Sequence, residues 1–571
     1  MSDIIVKQRA LISRPELFQG VPDFIARILA ARGVQSKKEL ELKLKNLLAP
    51  TMKGLDQAIQ LIDLALDEHQ HITIVGDYDA DGATSTTLMV LALREMGAQV
   101  TYLVPDRFKY GYGLTPAIAN LAFERFKPDL LITVDNGISS HAGIATAQAN
   151  GMKVIITDHH LTTKETPCAE AVVNPNQLGC EFPSKALAGV GVAFYLLAKL
   201  STYRKKLNKS FAQVTQYLDL VALGTYADVA TLDFNNRILV DAGVKRIQQH
   251  LCRPGISALL DLASRDASQL QASDLGFVIG PRINAAGRME TMDIGIECLL
   301  ADDMQMAYPL AQQLNDLNIE RRQVENQIKQ EALDELEKLQ LDQQHLPAAL
   351  VVFEAHWHQG VIGIVAGRLK EQFYRPAIVF AEDEDGIHLK GSARSIDGIH
   401  IRDVIELVAE QYPDVISHFG GHAAAAGLTI KKDQFHIFKT AFEQLIQQSD
   451  TSLFDSILLT DGELPAEHFQ LNTVELLKDL GPWGQKFPSP IFEGKFTVLD
   501  SRWLKEKHLK LKLGLKNGQV VDAIAFNASE KYDFNPALGF VCLVYELDRN
   551  EFNGNVSLQL RIQYLDQTYI A

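Results

Sequence analysis

Cysteine is scarce in this chain: five in 571 residues, scattered, odd in number and without a CxxC pair. That usage argues against a disulfide framework or a zinc knuckle, and fits free thiols in a reducing compartment. Long apolar runs are missing too. No uninterrupted stretch approaches the length that spans a bilayer, and the opening "MSDIIVKQRALISR" lacks the apolar core of a secretory signal, so the expectation is a cytoplasmic protein without membrane attachment. Positive charge is short as well. With 55 Lys and Arg against 71 Asp and Glu, the net charge of −16 argues against a surface coated for nonspecific nucleic-acid binding, although it leaves room for a local basic groove. There is no Walker loop, HExxH helix or serine nucleophile elbow, which removes several hydrolytic chemistries. The 47% hydrophobic content over this length is that of an ordinary globular protein with several full-sized domains.

What is present starts at "ITIVGDYDADGATS", with Asp77, Asp79 and Asp81 at alternate positions and Gly82 behind them. A calcium loop of the EF-hand kind needs an entering helix and a bidentate Glu at its twelfth position. Here the preceding residues, His71 to Val75, are strand-forming and the twelfth position is Leu88. The residues behind form an apolar helix pattern. The aspartates therefore belong on a strand-to-helix turn, where ligands bind in open α/β sheets.

From about residue 55 the chain alternates helix-like and strand-like segments, which implies a largely parallel sheet with helices on both faces. Residues 1–50, punctuated by Pro15, Pro22 and Pro50, read as an N-terminal helical segment, and 51–303 as the first α/β domain. The charged amphipathic stretch from Met304 reads as a connecting helix or helix pair over 304–346. A second α/β unit occupies 347–449, and the short strands of 450–571 suggest a small OB-type barrel. The expected fold class is α/β: a parallel-sheet lobe and a second α/β lobe joined by a long helix, followed by a C-terminal OB-like β-barrel.

Three apolar strands of the first lobe end in metal-binding side chains. After "ITIV" come Asp77, Asp79 and Asp81; after "LLITV" comes Asp135; after "VIIT" come Asp158, His159 and His160. Asp228, in "ALGTYADVAT", follows an apolar helix able to reach the same edge. Taken singly, an Asp in such a place reads as a helix cap. As a set on one sheet edge they read as a site for divalent cations, two of which clamp an in-line phosphoryl displacement; the imidazole tilts the preference from magnesium toward manganese.

In the order "GDYDADG", "VDNG", "TDHH", "ADVA", these motifs resemble the four motifs of the DHH phosphoesterase superfamily. "WHQGVIGIVAGRL", "GSARS" and "GGHAAAAG" resemble its DHHA1 domain, and "GPRINAAGRME" with the terminal barrel narrows the likeness to the bacterial single-strand-specific exonucleases of that superfamily. The resemblance implies two ions, Mn2+ or Mg2+. Asp79 and Asp81 would bind one each, with Asp135 bridging, His159 and Asp228 completing the second site, and Asp77 completing the first. Smaller members carry a His where Val75 stands here. His160 would support a neighbouring ligand or face the phosphate, and Asp158 would orient its neighbours or cap a helix.

In the second lobe, which is expected to face the metals across a cleft, Ser392 and Arg394 suit a terminal phosphate. The backbone of Gly420 and Gly421 with His422 suits an anion nest. Arg282 and Arg288 are expected between the lobes, where either can pin them together, and Arg288 resembles the family residue near the 5′ end. The stretch 501–516 sets Arg502, Lys505, Lys507, Lys510, Lys512 and Lys516 against Glu506. It reads as a solvated edge strand or as a strand-binding surface, with Trp503 a stacking platform or a core residue. The family activity is 5′-to-3′ degradation of single-stranded DNA to mononucleotides in repair and recombination, alongside a single-strand-binding protein and a helicase. The competing readings are a phosphodiesterase for short oligonucleotides or cyclic dinucleotides, and a binding protein with an inactivated nuclease fold.

Overall fold

The computed structural model describes residues 4–105, 107–162, 165–338, 347–552 and 554–567. The chain divides into two compact units. One comprises Ala10–Asn318 with Gln470–Pro490; the other holds the strand Ile4–Gln8, Ile319–Phe469 and the chain from Ile491 onward.

In the first unit five parallel strands lie in the order Gln99–Leu103, His71–Val75, Leu130–Val134, Lys153–Thr157, Ala171–Val173. The central strands are buried along nearly their whole length, as their Val-, Ile- and Leu-rich sequences require of a sheet covered on both faces. Helix Ala80–Glu95 follows the first of these strands. It lies almost wholly inside the unit, packed on helices Gly189–Lys206 and Leu218–Ala227.

In the second unit a five-stranded sheet runs Ile416–Gly421, Ala425–Lys431, His388–Arg394, Ala377–Glu382, Leu350–Phe353, with only the last pair parallel. Helices Ile401–Gln411 and Phe435–Gln447 supply Ile405, Val408, Phe438 and Phe442 to its core. The strands Phe492–Leu504, His508–Gly514, Val520–Ala525, Phe540–Phe552 and Asn555–Asp566 close into a barrel. Closure removes the exposed sheet edges that would otherwise template aggregation.

One feature departs from the sequence expectation. Residues 4–8 are not helical: Ile4–Gln8 pairs in parallel with Ser456–Thr460, and its β-branched start becomes a strand only because that distant partner exists. The connector takes the first of its two expected forms, one continuous helix, Met304–Lys338, and Pro309 lies inside it, where the ring removes one i→i−4 hydrogen bond. The end of the expected connector, 339–346, lies outside the described residues, as do 1–3 and 568–571 of the terminal segments.

Candidate metal centre

Val75 pairs with Thr133, and Val134 with Thr157, so the residues following the three strands emerge side by side on the carboxyl edge. Asp135 takes a left-handed backbone, φ 62°, a conformation that Asp tolerates better than most residues. Asn136 beside it ties two strand ends together, its Nδ2 donating to the carbonyls of Val75 at 3.1 Å and Val134 at 2.9 Å.

Asp79 and Asp81 do different work. Asp79 is the N-cap of helix Ala80–Glu95, its Oδ1 accepting from the amides of Asp81 at 2.9 Å and Gly82 at 3.0 Å. Asp81 is buried and its carboxylate accepts from the amides of Gly189 at 2.6 Å and Val190 at 2.9 Å. Those amides open helix Gly189–Lys206, whose positive end favours the anion. A β-carbon on Gly189 would stand 2.6 Å from that of Asp135, so only glycine lets the helix start this close to the acids.

His159 Nε2 lies 3.1 Å from Asp135 Oδ1, 3.9 Å from Asp228 Oδ2 and 4.0 Å from Asp81 Oδ2. The ring hydrogen-bonds to the Leu187 backbone, and burial together with the charge of His160 pulls its pKa down to about 4. The imidazole is thus neutral, with its Nε2 lone pair turned toward carboxylate oxygens. Both Nε2 and Asp135 Oδ1 are buried without a hydrogen-bond partner. Ligand atoms of Asp81, His159 and Asp228 lie within 4.8 Å of one another, as do those of Asp135, His159 and His160. Two carboxylates at that spacing repel by about 3 kcal/mol at an effective dielectric constant near 20. Burial first, and neighbouring carboxylates second, raise Asp135 and Asp228 well above the ordinary range and push Asp81 up to about 7 and Asp77 up to about 8. Orphaned acceptors and mutually repelling acids with one neutral imidazole are the donor set that a hard or borderline divalent cation satisfies.

Asp158 is an orienter and not a helix cap. Its Oδ2 accepts from the Ile138 amide at 2.8 Å, while Oδ1 accepts from the amides of His159 and His160 and pairs with His160 Nδ1 at 2.8 Å. Burial works against the charged His160, but the Asp158 bond and charge prevail and lift it to about 9. It is therefore a cation at neutral pH beside a neutral His159. Asp77, also buried, accepts from the Tyr78 amide at 2.8 Å, and among the described residues neither Asp77 nor Asp79 joins the two clusters that centre on His159.

Sequence reasoning missed two contributors here. Tyr112 Oη lies 3.2 Å from His160 Nε2, with its ring edge-on to His160 and to Tyr78; the glycine-flanked tyrosines of "KYGYG" were the available signal. Asn284 Oδ1 accepts from the Ala80 amide at 2.7 Å, a contact across more than two hundred residues that leaves no local trace. Arg282, on the same helix Gly280–Met289, is turned to the Val278 carbonyl at 2.6 Å and Asn315 Oδ1 at 3.1 Å, and Arg288 stands in the last turn.

In the second unit Ser392 and Arg394 share strand His388–Arg394. Arg394 Nη1 donates to Ser392 Oγ at 3.1 Å and to the Ala393 carbonyl at 2.8 Å. The start of helix Ile362–Phe373 approaches closely: a β-carbon on Gly363 would lie 2.8 Å from Ser392 Oγ and 3.0 Å from Arg394 Nη2. Gly421 has φ 147°, and the His422 amide donates to the Ala425 carbonyl at 2.8 Å. Trp503 is 43% exposed on the barrel and not a core residue, while Lys510 is ion-paired to Asp522 at 3.0 Å.

A parallel sheet with acids and histidines gathered on its carboxyl edge defines the DHH class, and family models agree: "DHH family, N-terminal domain" matches 71–225, "DHHA1 domain" 346–448 and "RecJ OB domain" 460–564. The chain is 46% identical to the protein of Dickeya dadantii named single-stranded-DNA-specific exonuclease RecJ, over 99% of this chain and 100% of that one. It is 46% identical to the Escherichia coli K12 protein of the same name, over 98% of each. The crystal structure of RecJ in complex with Mn2+ from Thermus thermophilus superposes with a TM-score of 0.83 at 30% identity, covering 99% of this chain and 80% of that one. The chain belongs to the RecJ family.

Proposed function

We propose that this chain is a metal-dependent exonuclease specific for single-stranded DNA, hydrolysing phosphodiester bonds from the 5′ end to release mononucleotides. The observation that carries the reading is the set of buried Asp81 and Asp135 with partly exposed Asp228 around the unpartnered Nε2 of His159. The RecJ names and the Mn2+- and Mg2+-bound Thermus structures support it.

Asp81, Asp135, His159 and Asp228 would hold divalent ions, with Asp79 and Asp77 the proposed additional ligands on the neighbouring turn. Ions bound there supply an activated water and charge neutralisation at the scissile phosphate. The protein's own part is positional. The helix starting at Gly189 fixes Asp81, and Asp158 fixes His160, whose positive charge is available to a phosphate oxygen or to the leaving group's proton demand.

Arg394, Ser392, Gly421, His422 and Arg288 are proposed to bind the terminal phosphate. Arg394 is partly buried, and desolvation lowers its pKa; its hydrogen bonds to Ser392 Oγ and the Ala393 carbonyl leave its charge uncompensated by them, a state that a phosphate relieves. The barrel, with exposed Trp503, is proposed as the single-strand track; Lys510 would contribute there by exchanging Asp522 for a phosphate. A cytoplasmic setting in repair and recombination, with a single-strand-binding protein and a helicase as partners, completes the proposal. Among the described residues no helix is long and apolar enough to cross a membrane.

The test is product release from a long oligonucleotide labelled at its 5′ or 3′ terminus, with Mn2+ or Mg2+, against a duplex control. The expected result is 5′ label released first as mononucleotide, from single strands only. Survival of the long strand while dinucleotides are cleaved would overturn the reading in favour of a small-substrate phosphodiesterase.

A further inference from the structure

Asp228 reaches the metal cluster from the end of helix Leu218–Ala227, at a turn with an unusual residue in it. The Ala230 amide bonds to the Thr225 carbonyl at 3.3 Å and the Val229 amide to the Tyr226 carbonyl at 3.2 Å. This pattern is a Schellman cap, whose left-handed position normally belongs to glycine. Here that position is Val229, φ 57° and 63% exposed. A β-branched residue in that region is strained and persists only where its surroundings over-determine it.

The surroundings come from far along the chain. The loop Gly481–Pro488 belongs to the first unit and grips the Asp228 turn on both sides. Tyr226 Oη donates to the Trp483 carbonyl at 2.9 Å, and the Leu232 amide donates to the Gln485 carbonyl at 2.9 Å. The loop is itself stiff: Gly484 and Phe487 exchange amide-to-carbonyl bonds of 2.8 and 3.0 Å, and the Trp483 and Phe487 rings stack at 5.0 Å. Two arginines of the same unit brace it, Arg32 over Trp483 at 5.2 Å and Arg237 over Phe487 at 4.0 Å. Arg32 Nε also donates to the Pro488 carbonyl at 2.7 Å. A β-carbon on Gly484 would lie 2.8 Å from Leu232 Cδ1 and 3.2 Å from Tyr226 Cε2, so the loop sits directly on the residues that flank the ligand.

We infer that the Trp483–Phe487 loop is a positioning device for metal binding: by pinning Tyr226 and Leu232 it holds the strained Asp228–Val229 turn in the geometry that delivers the Asp228 carboxylate to its ion. The inference rests on the metal assignment made above. Tyr226, Trp483 and Phe487 are positioning residues, acting through Asp228 and not on the substrate. Asn236 Nδ2, donating to the Thr231 carbonyl at 2.9 Å, holds the chain beyond the turn, and Gly276 and Gly280 pack on Tyr226 and Ala227 before it, while the loop bridges the two sides.

The test is Mn2+ titration of the full-length protein followed by the electron paramagnetic resonance of free Mn2+, with melting temperature measured on the same samples. Asp228→Asn is the reference and should lose one ion. Tyr226→Phe and Trp483→Ala should weaken that same ion about 10-fold, the size typical of losing an outer support of a ligand, while the other ion stays within about twofold of wild type and Trp483→Phe recovers most of the loss. Tyr226→Phe removes a single oxygen and decides the matter alone if Trp483→Ala does not fold. Unchanged affinities, or equal weakening of both ions in step with a lower melting temperature, would overturn the inference and make the loop ordinary packing. If Asp228→Asn binds as many ions as wild type, the metal assignment itself fails.

Discussion

The carboxyl edge of the parallel sheet and the surface of the terminal barrel solve opposite problems with the same charged residue types. At the sheet edge Asp81 and Asp135 are buried, and each is held by backbone: helix amides for Asp81, a left-handed turn for Asp135. On the barrel the Lys510–Asp522 pair is partly exposed and adaptable. Chemistry on a phosphate requires charges fixed in advance of the substrate, and such charges must be kept in place at the expense of stability. A surface that follows a flexible strand gains more from charges and rings that can exchange partners. Substitutions at the sheet edge should therefore act on the chemical step, and those on the barrel on strand binding.

The largest effect is expected from Asp135→Asn, which removes a charge from the centre of the cluster. Single-turnover hydrolysis should fall by at least ~10³-fold, about 4 kcal/mol in the barrier, with strand affinity little changed. An affinity loss matching the rate loss would blur the distinction between the two regions. Next comes Gly189→Ala. Its β-carbon would collide with Asp135, displacing a ligand without altering any charge, and a misplacement near 1 Å costs roughly 10²-fold in rate. Wild-type turnover in that variant would show that the close approach is packing alone. Arg394→Gln should reduce the preference for a 5′-phosphorylated over a 5′-hydroxyl end by roughly 10-fold, consistent with one charged hydrogen bond of ~1.5 kcal/mol. Equal loss on both ends would remove it from the phosphate site. Trp503→Ala is expected to raise KM for long strands by the ~1 kcal/mol of a lost base stack, leaving kcat unchanged.

The smallest effect is on stability. In the metal-free protein Asp81, lifted to about 7, and Asp77, lifted to about 8, retain protons that the unfolded chain releases near pH 4. The native state thus binds more protons than the unfolded state between about pH 4 and 8, and stability falls as pH rises through that window. Saturating Mn2+ should flatten or reverse the slope, because the ion replaces the protons as the compensating charge. A melting temperature that rises with pH across this range in EDTA would contradict the burial of these acids.

Much of the sheet edge was legible in the sequence because each motif is short and follows an apolar strand, so that parallel pairing alone brings "GDYDADG", "VDNG" and "TDHH" together. What no pattern reveals is how each acid spends its oxygens. Asp79 turns back to cap its own helix, although it sits in the same motif as Asp81. Pairings over long sequence separations were equally hidden. The strand Ile4–Gln8 depends on Ser456–Thr460, and residues 470–490 fold with the first unit although they adjoin the barrel in sequence. The barrel itself was foreseen from its alternating strands and turn residues. The ion pair that neutralises Lys510 was not, because Asp522 comes within reach on the neighbouring strand, diagonal to Lys510, only once the hairpin forms.

The central claim is that the acids around His159 form a prearranged site for divalent ions. Anomalous diffraction from a crystal soaked in Mn2+ tests it most directly. The account predicts two peaks within coordination distance of Asp81, Asp135, His159 and Asp228, with those side chains close to their metal-free positions. Absence of a peak at this edge in a crystal that binds Mn2+ elsewhere would contradict it.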